Sequence, residues 1–115
     1  MSPDNRDAAH LWDMLTAARE ASAIVKDIPL ETFLEDRLRL RALERTMELI
    51  GEAARRVSSQ FQSEHQVIPW RALIGLRNLL AHEYGRVNAT LLYRTATHDL
   101  PSLIITLERI TGSKA

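Results

Sequence analysis

Cysteine is absent from the 115-residue chain, which excludes disulfide scaffolds, cysteine nucleophiles and thiolate-bound zinc. Net charge is absent too, with 15 basic residues balancing 15 acidic ones. No global field therefore draws the chain to nucleic acid, and a non-specific DNA-coating role is disfavoured. No apolar run approaches the ~20 residues needed to cross a bilayer, and the polar start from Met1 to Arg6 does not read as a signal peptide. These absences predict a soluble, cytoplasmic protein with no membrane partner. Lysine is scarce: Lys26 and Lys114 are the only two, and every other basic residue is arginine. A GC-rich coding sequence produces that skew without any function. Arginine's planar fork nevertheless suits phosphate, so nucleic-acid binding would have to come from a local patch. Strand-type alternation and internal repeats are also missing. The length fits one domain, residues 1–115, large enough to bury a core without metal or disulfide.

What is present is helical periodicity. A first helix is predicted from about Asp4 to about Lys26, with Ser2, Pro3 and Asp4 supplying its cap and first turn. Leu11, Leu15, Ala18, Ser22 and Val25 form a core stripe, with Ala8 and Trp12 beside them. Ile28-Pro29 ends it, because the residue before proline is pushed from helical angles. Leu30 to Glu35 predicts a short helical turn that places Phe33 and Leu34 on the core. A long helix follows from about Asp36 to Ser59, with Leu40, Leu43, Met47, Ile50, Ala54, Val57 and Phe61 on its apolar side. Gln60 to Val67 reads as the longest loop. Asn88 is expected to cap a fourth helix carrying Leu91, Leu92 and Tyr93. His98 to Pro101 reads as a break, with Asp99 capping a short last helix over Leu100 to Ile110 that Gly112 stops. The pattern predicts an all-α, up-down antiparallel four-helix bundle with a short fifth, C-terminal helix.

The stretch Pro69 to Gly85 departs from ordinary patterning. It reads as one helix, with Pro69 at its first position and Gly85 just past its end. At roughly 100° per residue, Trp70, Leu73, Ile74, Leu80 and Ala81 share a face, and Arg77 and Tyr84 fall in the middle of it. Asn78 and His82 line a neighbouring polar stripe with Arg71. A cation at the centre of an apolar stripe is the kind of break expected at a functional site or a paired interface. On the preceding long helix Glu44, Glu48 and Glu52 recur every fourth residue. They read as a solvated charged row; alternatively Glu48 or Glu52 neutralises Arg77 from a packed neighbour.

Arg77, Asn78, His82 and Tyr84 are the candidate site. Histidine moves protons near neutrality, and the last helical turn favours its cationic form. Arginine holds phosphate and stabilises added negative charge in a pentacoordinate transition state. Together they suit cleavage of RNA by its own 2′-hydroxyl, with His82 as general base or acid and Arg77 as phosphate clamp. No metal or other cofactor is expected, and no tight carboxylate cluster offers a metal site. Residues five apart on an ideal helix point about 140° from each other. Either the helix loosens before Gly85, or Arg77 reaches round, or two chains of a homodimer supply one composite site. Taken singly, each residue has a plainer role: surface histidine, structural ion pair, core tyrosine. His10, His65 and His98 have no comparable company.

Arg77-Asn78-x3-His82-x-Tyr84 resembles the Arg-x4-His-x-Tyr motif of HEPN-domain toxins of the HepT type. Leu43-Glu44-Arg45, Ile50-Gly51-Glu52-Ala53, Ile68-Pro69-Trp70 and Asp99-Leu100-Pro101 resemble further landmarks of that family, in order and across essentially the whole chain. Arg-x4-His alone is a weak signal; the combination is strong. The resemblance implies an all-α bundle, a homodimer with motif helices at its interface, and metal-independent ribonuclease activity. It also implies a cognate antitoxin, a minimal nucleotidyltransferase of the MntA type that adds AMP to the motif tyrosine, here Tyr84. Gly85-Arg86 departs from the aromatic-glycine pair common after the tyrosine. Two other readings stand beside the toxin: a non-catalytic HEPN module that docks a nucleotidyltransferase, and a helical dimerisation domain in which an Arg77–glutamate pair fixes register.

Overall fold

The computed structural model describes residues 4–82 and 86–113, and of residues 77–82 and 86–87 it describes the backbone alone. Among the described residues all regular structure is helical, as the periodicity predicts. Helix α1 (Asn5–Val25) begins where the Asp4 carboxylate accepts a hydrogen bond from the Asp7 N–H at 2.8 Å. Its buried stripe contains Leu11, Leu15, Ala18 and Val25, with Met14 at its centre. Trp12, expected beside the core, is instead 48 % exposed, because the stripe turns about Met14 and leaves position 12 on its far edge. Asp27 carries the chain out of α1 at φ 59°, a left-handed conformation that aspartate tolerates better than most residues.

Helix α2 (Leu30–Leu34) buries Phe33 completely against the Tyr93 ring, centroids 5.3 Å apart. The Tyr93 hydroxyl donates to the Ile28 carbonyl at 2.5 Å, fastening the turn after α1 to a helix 65 residues away in sequence. Helix α3 (Arg37–Arg56) is capped by Asp36, which accepts from the Arg39 N–H. It stops three residues before the predicted end, so Val57 and Phe61 are buried but do not belong to its apolar face. The segment read as a loop contains a further helix, α4 (Ser59–Glu64), capped by Ser58. Its cap is itself held from a distance. The buried Asp7 carboxylate accepts both the Ser58 N–H at 2.8 Å and its hydroxyl at 2.6 Å.

Helix α5 (Trp70–His82) is followed by α6 (Arg86–Arg94) and α7 (Leu100–Thr111). Two expectations fail here. Asn88 lies inside α6, buried, and does not cap it. The chain does not break before Pro101 either: Thr95–Asp99 form a π-helical turn, closed by the Leu100 N–H on the Thr95 carbonyl. The wider turn lets the helical path continue until Pro101 reaches the first turn of α7, where its missing N–H costs nothing. Asp99 makes no side-chain cap, but the last helix, Leu100–Thr111, starts where expected and ends one residue past Ile110. Gly112 stops it at φ 74°, as the sequence indicates.

Helix α1 lies at the centre, packed on α3 and on α7, and α3 in turn packs on α5. Arg19 of α1 pairs with Glu108 of α7 at 2.9 Å, and Ser22 and Val25 lie near Ala96 and Pro101. Going back along α1 thus means going forward along α7, and the two run antiparallel. Full burial of Leu11, Leu15, Leu43, Ile50, Leu92 and Leu107, each side chain contributing roughly 1.5–3 kcal/mol, ties these helices into one core. Among the described residues no helix is long and apolar enough to cross a membrane.

Candidate active site

The helix that carries the candidate residues is fixed first at its start. The Trp70 indole N–H donates to the His65 carbonyl at 3.0 Å, and its ring meets Phe61 edge-on, centroids 6.3 Å apart. Phe61 stacks on the His65 ring at 3.9 Å, and His65 Nδ1 lies 3.0 Å from the Phe61 carbonyl. An aromatic cluster on α4 therefore sets the position of α5. His65, which the sequence leaves without a role, belongs to that cluster.

The second constraint is a backbone contact. A Cβ placed on Gly51 would lie 2.7 Å from the Leu73 carbonyl oxygen, closer than any side-chain carbon tolerates. Gly51 is what allows α3 and α5 to touch. It sits five residues before the end of α3, and Leu73 three residues after the start of α5. The linker-proximal ends meet, so the pair is antiparallel. From that contact point α5 runs toward Arg77 while α3 runs back toward Glu48 and Glu44. The buried face of α5 proceeds through Trp70, Leu73 and Leu76; Ile74 is only partly buried.

Of the candidate residues, Arg77, Asn78 and His82 lie on α5, whose backbone is α-helical from Trp70 through His82. Loosening of the helix between Arg77 and His82 is thereby removed as a way of bringing them together, and their angular offset of about 140° stands. Their side chains, and Tyr84 and Gly85, lie outside the described residues, while Arg86 opens α6. Glu48 accepts from Arg45 at 2.6 Å, and Glu52 from Arg55 at 2.8 Å and Arg56 at 3.4 Å. Arginines within one turn thus offset the like-charge row on α3. A pairing of Arg77 with Glu48 or Glu52 falls outside the described residues. Among the described residues no three His, Asp or Glu side chains gather as metal ligands would.

Comparison with known proteins converges on one family. Residues 14–110 match the model of the family described as "Ribonuclease HepT-like". The chain is 33% identical over 95 residues to "Putative RNase MJ1380" of Methanocaldococcus jannaschii, covering 83% of this chain and 87% of that one. It is 37% identical over 79 residues to "Putative RNase TTE0752" of Caldanaerobacter subterraneus, with 69% and 70% covered. It is 34% identical over 94 residues to "Probable ribonuclease HepT" of Thermococcus cleftensis, with 82% and 86% covered. No solved structure matches the chain.

Proposed function

Because the chain belongs to the HepT-like ribonuclease family, we propose that it is the RNA-cleaving toxin of a toxin–antitoxin pair, acting without metal through Arg77 and His82 at a homodimer interface. The carrying observation is that both residues lie on the one unbroken helix α5, where their positions diverge by about 140°. A twofold pairing of motif helices would bring an arginine and a histidine to the same phosphate without Arg77 having to reach round its own helix.

In the reaction, His82 takes the proton of the ribose 2′-hydroxyl as its oxygen attacks the adjacent phosphorus. The bond to the 5′-oxygen breaks, and that oxygen takes a proton from solvent water. The products are a 2′,3′-cyclic phosphate and a 5′-hydroxyl. Arg77 clamps the phosphate and stabilises its extra charge in the transition state. Asn78, one residue from Arg77, assists by holding a phosphate oxygen or ribose hydroxyl. Tyr84 is the control point. A partner nucleotidyltransferase transfers AMP from ATP to its hydroxyl with release of pyrophosphate, and the anionic adduct two residues from His82 occupies the place of the RNA phosphate.

The test uses the purified protein with mixed RNA and excess EDTA. Cleavage should persist, and Arg77→Ala and His82→Ala should each lower it by roughly 10²–10⁴-fold. Loss of cleavage with chelator, or its survival in both variants, refutes the mechanism. Mixing the two inactive variants tests the composite site: random exchange should restore about a quarter of wild-type activity, because half the dimers would carry one intact site out of two. No recovery means that each chain works alone. Mass spectrometry after incubation with the nucleotidyltransferase and ATP should find AMP on Tyr84, and AMP on another residue refutes the regulatory assignment.

A further inference from the structure

Helix α5 packs on α3, but toward α7 it leaves a groove of about 460 Å³, within the ~300–1,000 Å³ range of ligand clefts. Leu73, Leu76, Leu100 and Leu103 form its floor. One wall is the π-helical turn and the start of α7. π turns interrupt helices at functional sites more often than elsewhere, and this one exposes His98 and Asp99 along the rim. Asp99 stands at the N-cap of α7 yet makes no cap hydrogen bond, and among the described residues its carboxylate has no partner. The hydroxyls of Thr95, Ser102 and Thr106 donate to the carbonyls of Leu91, Asp99 and Ser102. Only their lone pairs remain for a ligand. The wall therefore offers hydroxyl lone pairs, the His98 imidazole, which can donate as well as accept, and the one negative charge of Asp99, above an apolar floor.

The Asp99 carboxylate disfavours a phosphate beside it and suits a cation with apolar company. The opposite rim carries the apolar floor outward onto the surface at Ala72 and Val67, which is 77 % exposed. The groove faces away from His82, although Arg77, four residues from Leu73, lies only about 40° from that side of α5. Positions 73 and 82 are nine residues apart, two and a half helical turns, and so fall on opposite sides of α5. We propose that this groove docks a segment of a partner polypeptide, in which apolar anchors fill the leucine floor and an adjacent lysine or arginine pairs with Asp99.

A phage-displayed library of 12-residue peptides, selected on the purified full-length protein, supplies the probe. Selected peptides should carry two or more large apolar residues and a basic one. Their addition should shift backbone amide resonances within Val67–Leu76 and Thr95–Thr106. Asp99→Asn should weaken binding at least fivefold and Asp99→Lys should abolish it. A peptide with glutamate replacing its basic residue should bind Asp99→Lys and not the wild type. RNA cleavage should stay within twofold of wild type in Asp99→Asn, so the groove can be tested whether or not the cleavage mechanism stands. Four results would overturn the proposal: peptides indifferent to the charge at position 99, shifts elsewhere on the surface, the same shifts produced by short single-stranded RNA, or dissociation of the protein's own oligomer by Asp99→Lys.

Discussion

The two flanks of α5 are built on opposite terms. Toward α3 the helix is held by backbone against backbone, with Gly51 leaving no room for even a methyl group over the Leu73 carbonyl. Toward α7, among the described residues, leucines that would close a tighter bundle line a groove instead. The difference teaches where precision is needed. The proposed catalytic residues Arg77 and His82 ride on α5, and the proposed reaction requires the helix to be positioned closely against one neighbour. Against the other it needs only a buried strip. A small residue at a crossing positions a helix more tightly than a large one, since backbone cannot change rotamer.

The largest effect should therefore come from closing the tight flank. In Gly51→Ala the new methyl meets a carbonyl that cannot swing away, an overpacking cost near 3 kcal/mol. The better helix propensity of alanine returns about 1 kcal/mol. The net loss of about 2 kcal/mol, roughly 8 °C in Tm for a domain of this size, is measurable by thermal or urea unfolding. RNA cleavage should fall with it, because α5 has to move. A neutral or stabilised Gly51→Ala would mean that the two flanks are equally loose. Next comes Trp70→Phe, at about 1.5 kcal/mol: it removes the hydrogen bond to the His65 carbonyl together with part of a buried ring.

Gly75 gives the opposite sign. A Cβ there meets nothing within 4 Å, so Gly75→Ala should stabilise the folded chain by about 0.8 kcal/mol through propensity alone. It also probes the proposed dimer. If the motif helices meet across position 75, the same substitution should weaken self-association in sedimentation experiments while raising the stability of the single chain.

These residues also mark how far the sequence could be read. The cap at Asp4 and the stop at Gly112 were legible because each is a local hydrogen-bond or φ requirement beside a periodic run. Helix α4 was not, since six residues are too few to show a period. Its cap is stabilised by Asp7, which is 51 residues away. Pro101 signalled an interruption, but local rules could not distinguish a break from a π turn that spreads the missing N–H over a wider loop of backbone. Of the proposed site, Arg77 stood out because it breaks the apolar stripe, while Asn78 and His82 lie on a polar stripe and drew attention only through their spacing from it. What positions them was hidden in Gly51, whose role depends on a crossing point that no single-helix pattern contains. The groove was equally hidden. Its lining comes from α5, the π turn and α7 together, and Leu76 reads as an ordinary apolar residue until its neighbours are known.

The smallest predicted effect tests the open flank directly. Val67 lies on the groove rim with 77 % of its surface exposed, so Val67→Ser gives up only the buried quarter of a side chain whose full burial is worth roughly 2 kcal/mol. The expected loss is about 0.5 kcal/mol, near the resolution of chemical denaturation, with an unchanged m-value. A loss above about 1.5 kcal/mol would mean that position 67 is covered in solution. That coverage could come only from the chain closing over the groove or from a second copy seated in it. Repeating the unfolding curve at tenfold lower protein concentration separates the two, because only the second copy makes the midpoint depend on concentration.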